Sequence, residues 1–531
     1  MKTRSLVRGS WPLLLAAACA SPVPRPVLRP AASERTAPPE RTAPLAGEAR
    51  VGWSRASSPA PLPTTVLGTV ESTGASESAG SQFGAPAALE LDAVLAAVQE
   101  HSPLVLAALE EQARAAAELL GAQGGFDLRL KGKGGFTAEG TYPSERAQLG
   151  LEQPLRLGGA SLLGGYRYGG GTFADYDDGA RTNSGGELSA GVSIPLLQGR
   201  RVDARRVAEW RALLEVERAS PLVAQKRIEL DLKATEAYWK WVAAGRKRAL
   251  AESLLELAER RRDQVDAAVA EGQLAPIAAT DNQRSIVDRT AKRIASEREL
   301  ERAAVELSLF WRGADGAPRV PGPDALPTDF PDPRDPAQVL LPDDEARALR
   351  ERPDLRERRL ALRQGELEVE LAENATLPDL DLQLLASQDL GAPTDPKDSL
   401  GPFQWKAGVS LSVPLQRRGA QGKLDALEAK LRKGRRELQF AQERAAAEVR
   451  QVRSLVEQAW EQLAQARENV RLAERLVEAE RVQVEAGASD LFRLNLREQQ
   501  LTLAVLGQIE VTAGYFRALA QYRASLGGAL P

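Results

Sequence analysis

Few residues in this chain could do chemistry together. Among 531 residues there is one histidine, His101, and one cysteine, Cys19. That leaves little room for a zinc site, a Cys/His nucleophile pair or a disulfide framework, so most metal and thiol enzymes are excluded by counting. Asp177-Asp178 and Asp344-Glu345 are of the type used in general acid–base catalysis. The first pair lies in a loop between strand-like segments, the second beside a proline-rich stretch, and neither sits in a recognisable pocket pattern. The glycines of GGFDLRLKGKGG alternate with apolar and basic residues as in a strand, not as in a phosphate-binding loop. His101, just before Ser102-Pro103, reads as part of a helix boundary. The expectation is a protein that is not an enzyme and has no cofactor and no metal. A net charge of -3 leaves no basic excess for nucleic acid.

With catalysis set aside, the elements themselves become informative. The N-terminus has Lys2, Arg4 and Arg8, then a short apolar run ending Ala-Ala-Ala-Cys. This predicts a signal peptide of lipoprotein type over residues 1–19, with Cys19 the lipidated residue; ordinary cleavage in an Ala-Cys-Ala context is the alternative. Residues 20–86 are rich in Pro, Ala and Ser without periodicity and read as a disordered tether. No later run of about 18 apolar residues would supply a membrane-spanning helix.

The segment Phe403 to Pro414, FQWKAGVSLSVP, alternates strictly. Phe403, Trp405, Ala407, Val409, Leu411 and Val413 share one face, and Gln404, Lys406, Gly408, Ser410 and Ser412 the other. Similar segments run over Phe126–Phe136, Ala147–Leu155, Leu162–Tyr168, Leu188–Ile194 and Leu380–Ala386. A soluble sheet needs a packing layer on its apolar face, which the sequence does not supply. A barrel strand of about 9–11 residues, apolar toward lipid and polar toward water, fits.

The chain also repeats itself. AGVSIPLLQGRR and AGVSLSVPLQRRG each end a strand region at Pro195 and Pro414, and each leads into a long helix that turns at a glycine, Gly272 or Gly487. Both landmarks recur at nearly the same offset, 219 and 215 residues. This predicts a first repeat over 87–313, a proline-rich connector over 314–342 and a second repeat over 343–531. Pro103 and Pro195 are 92 positions apart but Pro353 and Pro414 only 61, so the first copy carries 31 extra residues of strand region. From Gly419 to Glu485 apolar and small residues recur in steps of three and four, Ala445, Val449, Val452, Val456, Ala459, Leu463, Ala466, Val470, Ala473 and Val477, which is a coiled-coil seam. Pro221 predicts a kink or a break in the corresponding helix of the first copy.

From Leu89 to Leu526 this layout resembles the TolC-like outer-membrane efflux proteins. The resemblance rests on the duplication, ERPDL at Glu351–Leu355, the strand-to-helix phrases at Pro195 and Pro414, and the tip glycines. It implies a mainly α fold with a membrane β-barrel part, each repeat a strand hairpin plus a long helical hairpin. Three copies would form an α/β-barrel duct. It also implies a homotrimer in outer-membrane lipid with a periplasmic helical domain, a periplasmic adaptor and an inner-membrane transporter as partners. The duct would be a passive export conduit of a tripartite efflux or type I secretion system. Pro195 and Pro414 would mark the barrel–helix junctions. Gly272, Asp281, Gly487, Asp490 and Arg493 would form the adaptor-docking and gating tips, with Asp490 a helix cap. Acids that the family often carries six and nine positions after the tip glycine are replaced here, except for Asp281. A periplasmic adaptor or a pore-free coiled-coil scaffold is the alternative function.

Overall fold

A computed structural model describes residues 88–173, 181–394 and 403–528. Cys19, the signal and tether segments and the Asp177-Asp178 pair lie outside the described residues. Both halves follow one element order. A short helix, α1 (Leu91–His101), is followed by α2 (Pro103–Gln123), strands β1 (Arg129–Thr137), β2 (Ser144–Pro154), β3 (Ser161–Gly171) and β4 (Glu187–Pro195), then α3 (Ala204–Ala270) and α4 (Ile277–Ser308). After a single-turn α5 (Pro336–Val339), the second half has α6 (Asp344–Glu351), α7 (Pro353–Asn374), β5 (Asp379–Asp389), β6 (Gln404–Ser412), α8 (Arg418–Glu485) and α9 (Leu491–Ser525).

Local chemistry explains several boundaries. Pro103 and Pro353 occupy the first turn of their helices, where a missing N–H costs nothing. Asp203 caps α3 by accepting from the Arg205 and Arg206 N–H groups. The 68 residues of α8 reach about 100 Å at 1.5 Å per residue. Its buried residues are Ala445, Val449, Val456, Leu463, Val470, Ala473 and Val477, all on the row read from the sequence. Phe126 is not a strand residue; it closes a 3₁₀ turn, and β1 begins at Arg129. Nor does Pro221 end its helix: α3 continues through it with Ala219, Pro221 and Val223 buried, so packing holds a turn that has lost one N–H.

All six strands form one sheet in the order β1-β2-β3-β4-β5-β6, each neighbour antiparallel. The extra hairpin of the first half, β1–β2, therefore continues the sheet. Beneath it α3 packs between α2 and α7, and α7 packs on α8; farther down, α3 lies between α4 and α9, and α9 packs on α8.

The main core sits midway along α3, where Tyr238, Trp239, Trp241 and Val242 meet Val94, Val98, Leu300 and Leu307. Trp239 stacks on Phe516 with ring centroids 4.4 Å apart, and Phe330 of the connector stacks on the same Phe516. The proline-rich segment is thus a packed strap. Gly245 admits it: a Cβ there would lie 2.6 Å from Leu326 Cδ1.

Asp231 of α3 is 2% exposed and accepts a 2.6 Å hydrogen bond from Gln99 Nε2. Burial pushes its carboxyl up from 3.8 to about 6. The folded state then binds the proton more tightly than the unfolded one, so stability present at low pH is lost as pH rises from about 4 through about 6. Asp231→Asn, which can still accept from Gln99, should be more stable than the parent at pH 7.5 by up to about 2 kcal/mol. It should also flatten the loss between pH 4 and 6 in melts followed by helical circular dichroism.

Candidate functional site

Register decides which side chains share a face. Residues paired across an antiparallel ladder point the same way, so the sheet can be followed strand by strand. One face carries Leu130 and Phe136 of β1, Leu149 and Leu151 of β2, Leu162, Tyr166 and Tyr168 of β3, and Leu188, Ala190 and Val192 of β4. It continues through Leu382, Leu384 and Ala386 of β5 to Trp405, Ala407, Val409 and Leu411 of β6. The row read in FQWKAGVSLSVP is therefore one edge of an apolar surface six strands wide. Phe136 is 82% and Trp405 74% exposed, so nothing among the described residues covers these edges.

Polar exceptions on this face, Glu145, Gln153 and Gln388, fall at strand ends. Phe136, Tyr168, Phe403 and Trp405 gather toward the end remote from the helices, as a girdle of rings does at a membrane–water boundary. The opposite face carries Arg129, Lys131, Lys133, Arg146, Glu152, Arg167, Glu187, Gln383, Lys406 and several serines, with Leu163 and Leu385 as apolar exceptions. Its charges neutralise one another locally: Lys131 Nζ donates to Glu152 at 2.7 Å, and Arg167 Nε to Glu187 at 2.8 Å.

The two strand-to-helix junctions differ. Pro195 ends β4, and the turn after it is held by Arg206, whose Nη2 donates at 2.9 Å to the carbonyls of Gly199 and Arg200. Gly199 N–H donates at 2.7 Å to Asn374 Oδ1, tying the first half to the second. Pro414 lies two residues beyond β6, beside Leu415, which is 92% exposed, and Arg417, which adopts φ 45°.

At the far end both helical hairpins turn in the same way. Gly272 (φ 75°) and Gly487 (φ 72°) occupy the left-handed region open to glycine. Around each, a 2.8 Å bond closes a Schellman-type turn, Gln273 N–H to the Ala268 carbonyl and Ala488 N–H to the Gln483 carbonyl. Asp490 Oδ1 accepts from Arg493 N–H at 2.9 Å and so caps α9. Asp281 and the Arg493 side chain are exposed on separate hairpins, and no hydrogen bond or ion pair among the described residues joins them.

Above the tips lies a cluster that sequence reading missed. Glu498 of α9 is 4% exposed and lies between Arg261 of α3, at 3.2 Å from Nη1, and Arg289 of α4, at 3.4 Å from Nη2. Arg261 also donates to Asn495 Oδ1 at 2.7 Å, and Arg289 to the Leu254 carbonyl at 2.6 Å. The available signal was a charge on an otherwise apolar row, Leu494, Glu498, Leu501, Val505.

The acidic pair Asp344-Glu345 is structural. Asp344 accepts from Arg453 Nη1 at 3.0 Å, while Glu345 pairs with Arg450, which holds its carboxyl below the usual range. Among the described residues no group of His, Cys, Asp and Glu has the geometry of a metal site, and no helix is long and apolar enough to cross a membrane.

Residues 346–528 match the family model described as outer membrane efflux protein. No curated protein matches the chain. Among solved structures, the MtrE outer membrane channel of Neisseria gonorrhoeae, in its open state, has a TM-score of 0.59 at 16% identity, over 83% of this chain and 89% of that one. The CmeC outer membrane channel of Campylobacter jejuni has a TM-score of 0.58 at 14% identity, over 83% and 86%. The outer membrane protein VceC of Vibrio cholerae has a TM-score of 0.58 at 14% identity, over 83% and 97%. The chain thus has the fold of these outer membrane proteins.

Glu498→Ala takes the carboxylate away from two guanidinium groups in a closed seam and should cost about 3 kcal/mol. The heat-stability of the assembled protein on semi-native gels should fall accordingly. Replacing Arg261, Arg289 and Glu498 together by Met or Leu should recover most of that loss.

Proposed function

We propose that this protein is the outer-membrane duct subunit of a tripartite efflux or type I secretion system, acting as a passive conduit and performing no chemistry. The observation that carries the reading is the sheet: strands of 9 to 11 residues with one continuous exposed apolar face and one charged, hydrated face. Those lengths suit a tilted bilayer span, and that two-sidedness suits lipid outside and water inside. A periplasmic adaptor or a pore-free scaffold would have no use for either property.

Six strands fall short of the roughly eight needed to close a barrel, so several copies must share one. The family resemblance supports three. The helical layer supports a ring as well, because α4 and α8 are its outer members and both carry exposed apolar side chains, Val287, Ile294 and Val305 on one, Leu455, Leu472 and Leu476 on the other.

The tips at Gly272 and Gly487 would meet a periplasmic adaptor coupled to an inner-membrane transporter. Asp490 would keep the second tip ordered, and Asp281 and Arg493 would present opposite charges to a neighbouring tip or to the adaptor. Pro195 and Pro414 would mark the level at which the duct leaves the membrane. Cys19 would anchor the chain through acylation.

Purified protein in planar bilayers should show discrete conductance steps, larger when the tips are loosened; a folded oligomer that conducts in neither state overturns the duct reading. Gly272→Val and Gly487→Val place a β-branched residue at a left-handed φ, costing about 1–2 kcal/mol locally. Each should reduce adaptor-dependent export in cells while leaving the oligomer intact on native gels.

A further inference from the structure

We infer that the barrel is built from whole six-stranded sectors, β6 of one copy pairing antiparallel with β1 of the next, so that three copies enclose eighteen strands with the β1–β2 hairpin inside the wall. The inference rests on the duct reading above and adds the composition of the wall and its seam.

The first ground is hydrogen-bond accounting. A strand has two edges. Both edges of β3 are occupied, by β2 along its whole length from Ser161 to Gly171 and by β4 from Ser161 to Arg167. A wall of four strands per copy, with the hairpin set aside, would require β3 to release β2 and accept β6 of a neighbour. That exchanges an existing eleven-residue ladder for another and leaves the hairpin's own groups to be satisfied elsewhere. Among the described residues the only strand edges without a partner are the outer edges of β1 and β6. In hydrocarbon neither edge can stay open, because no water is present to satisfy it.

A second ground is the face itself. Were β1 and β2 outside the membrane wall, their apolar row would serve no purpose. Yet Leu130, Phe136, Leu149 and Leu151 continue the row of β3 to β6 in register, and the row opposite them is Arg129, Lys131, Lys133, Arg146, Gln148 and Glu152. Glycine supplies much of the rest of β1, at Gly132, Gly134 and Gly135.

Direction and flanking contacts fit the same seam. With six strands β1 runs away from the helices and β6 returns toward them, so the two edges meet antiparallel, as every other pair in the sheet does. Both are nine residues long. At the helix end of the β6 edge Leu415 is bare; near the same end of the β1 edge Leu120 and Leu128 are exposed as well. A second copy that paired the strands would bring these leucines to one level. Barrel diameter grows roughly linearly with strand number, and about 16–18 strands leave an aqueous channel.

The decisive measurement is electron cryomicroscopy of the full-length protein in detergent or nanodiscs. Eighteen strands with β1 beside β6 of the adjacent copy are expected; twelve strands with the hairpin outside the wall overturn the inference while leaving the duct reading intact. A solution particle with no closed barrel overturns both. As an independent readout, Lys131→Cys or Lys133→Cys combined with Lys406→Cys or Ser410→Cys, all on the hydrated face, should oxidise in membranes to covalent dimers and trimers in at least one pairing. The single variants, which keep Cys19, should remain monomeric on denaturing gels. Inter-copy cross-linking of Arg167→Cys to Lys406→Cys, with none from β1, counts against the seam.

Discussion

The sheet and the helices answer to one constraint: a peptide group kept from water must find its hydrogen-bond partner in protein. The long helices meet it alone, each along its own axis. The strands cannot, and six of them laid edge to edge still leave two rows of donors and acceptors open. In the proposed membrane setting the apolar face would keep those rows from water.

The chain contains its own example of how such rows are joined. Between β4 and β5 the first half meets the second through nine paired residues, Glu187 with Asp389 at one end and Pro195 with Asp381 at the other. Beneath that seam Gly199 binds Asn374, and farther down Arg218 of α3 reaches Glu357 of α7. Near the tips Glu498 joins α9 to α3 and α4. The internal joint is therefore fastened at three levels: strand, upper helix and lower helix. In the assembly inferred above, a joint between copies would have the same three levels to use, β6 with β1 and α8 with α2 above and α4 below.

Much of this was legible before any coordinates. Period-two rows gave away every strand, and steps of three and four named the buried residues of α8, because each pattern reflects one element meeting one apolar environment. Strand ends were less visible. The segment read as Leu380–Ala386 extends to Asp389, and that read as Leu162–Tyr168 to Gly171, since ladder pairing, Asp389 with Glu187 and Gly171 with Ser144, continues past the apolar row. The helix runs on through Pro221 because it is held by neighbours on both sides, whose packing outweighs the loss of one hydrogen bond. The Arg261–Glu498 contact joins residues 237 positions apart, and one charge on an apolar row does not say which cation will come to it. That the proline-rich connector is packed could not be read from its own residues, because what it packs on, Gly245 and Phe516, lies in distant helices.

The layering described above also fixes a circumference. Strands about 4.8 Å apart and tilted by about 40° each occupy about 6 Å of perimeter, so six of them take up about 37 Å. Directly beneath run α2, α3, α7 and α8, four helices at about 9 Å each, or about 36 Å. The two layers are commensurate. A wall with this ratio of strands to helices can pass from sheet to helix without narrowing, and cargo crossing the membrane plane would meet no step in bore.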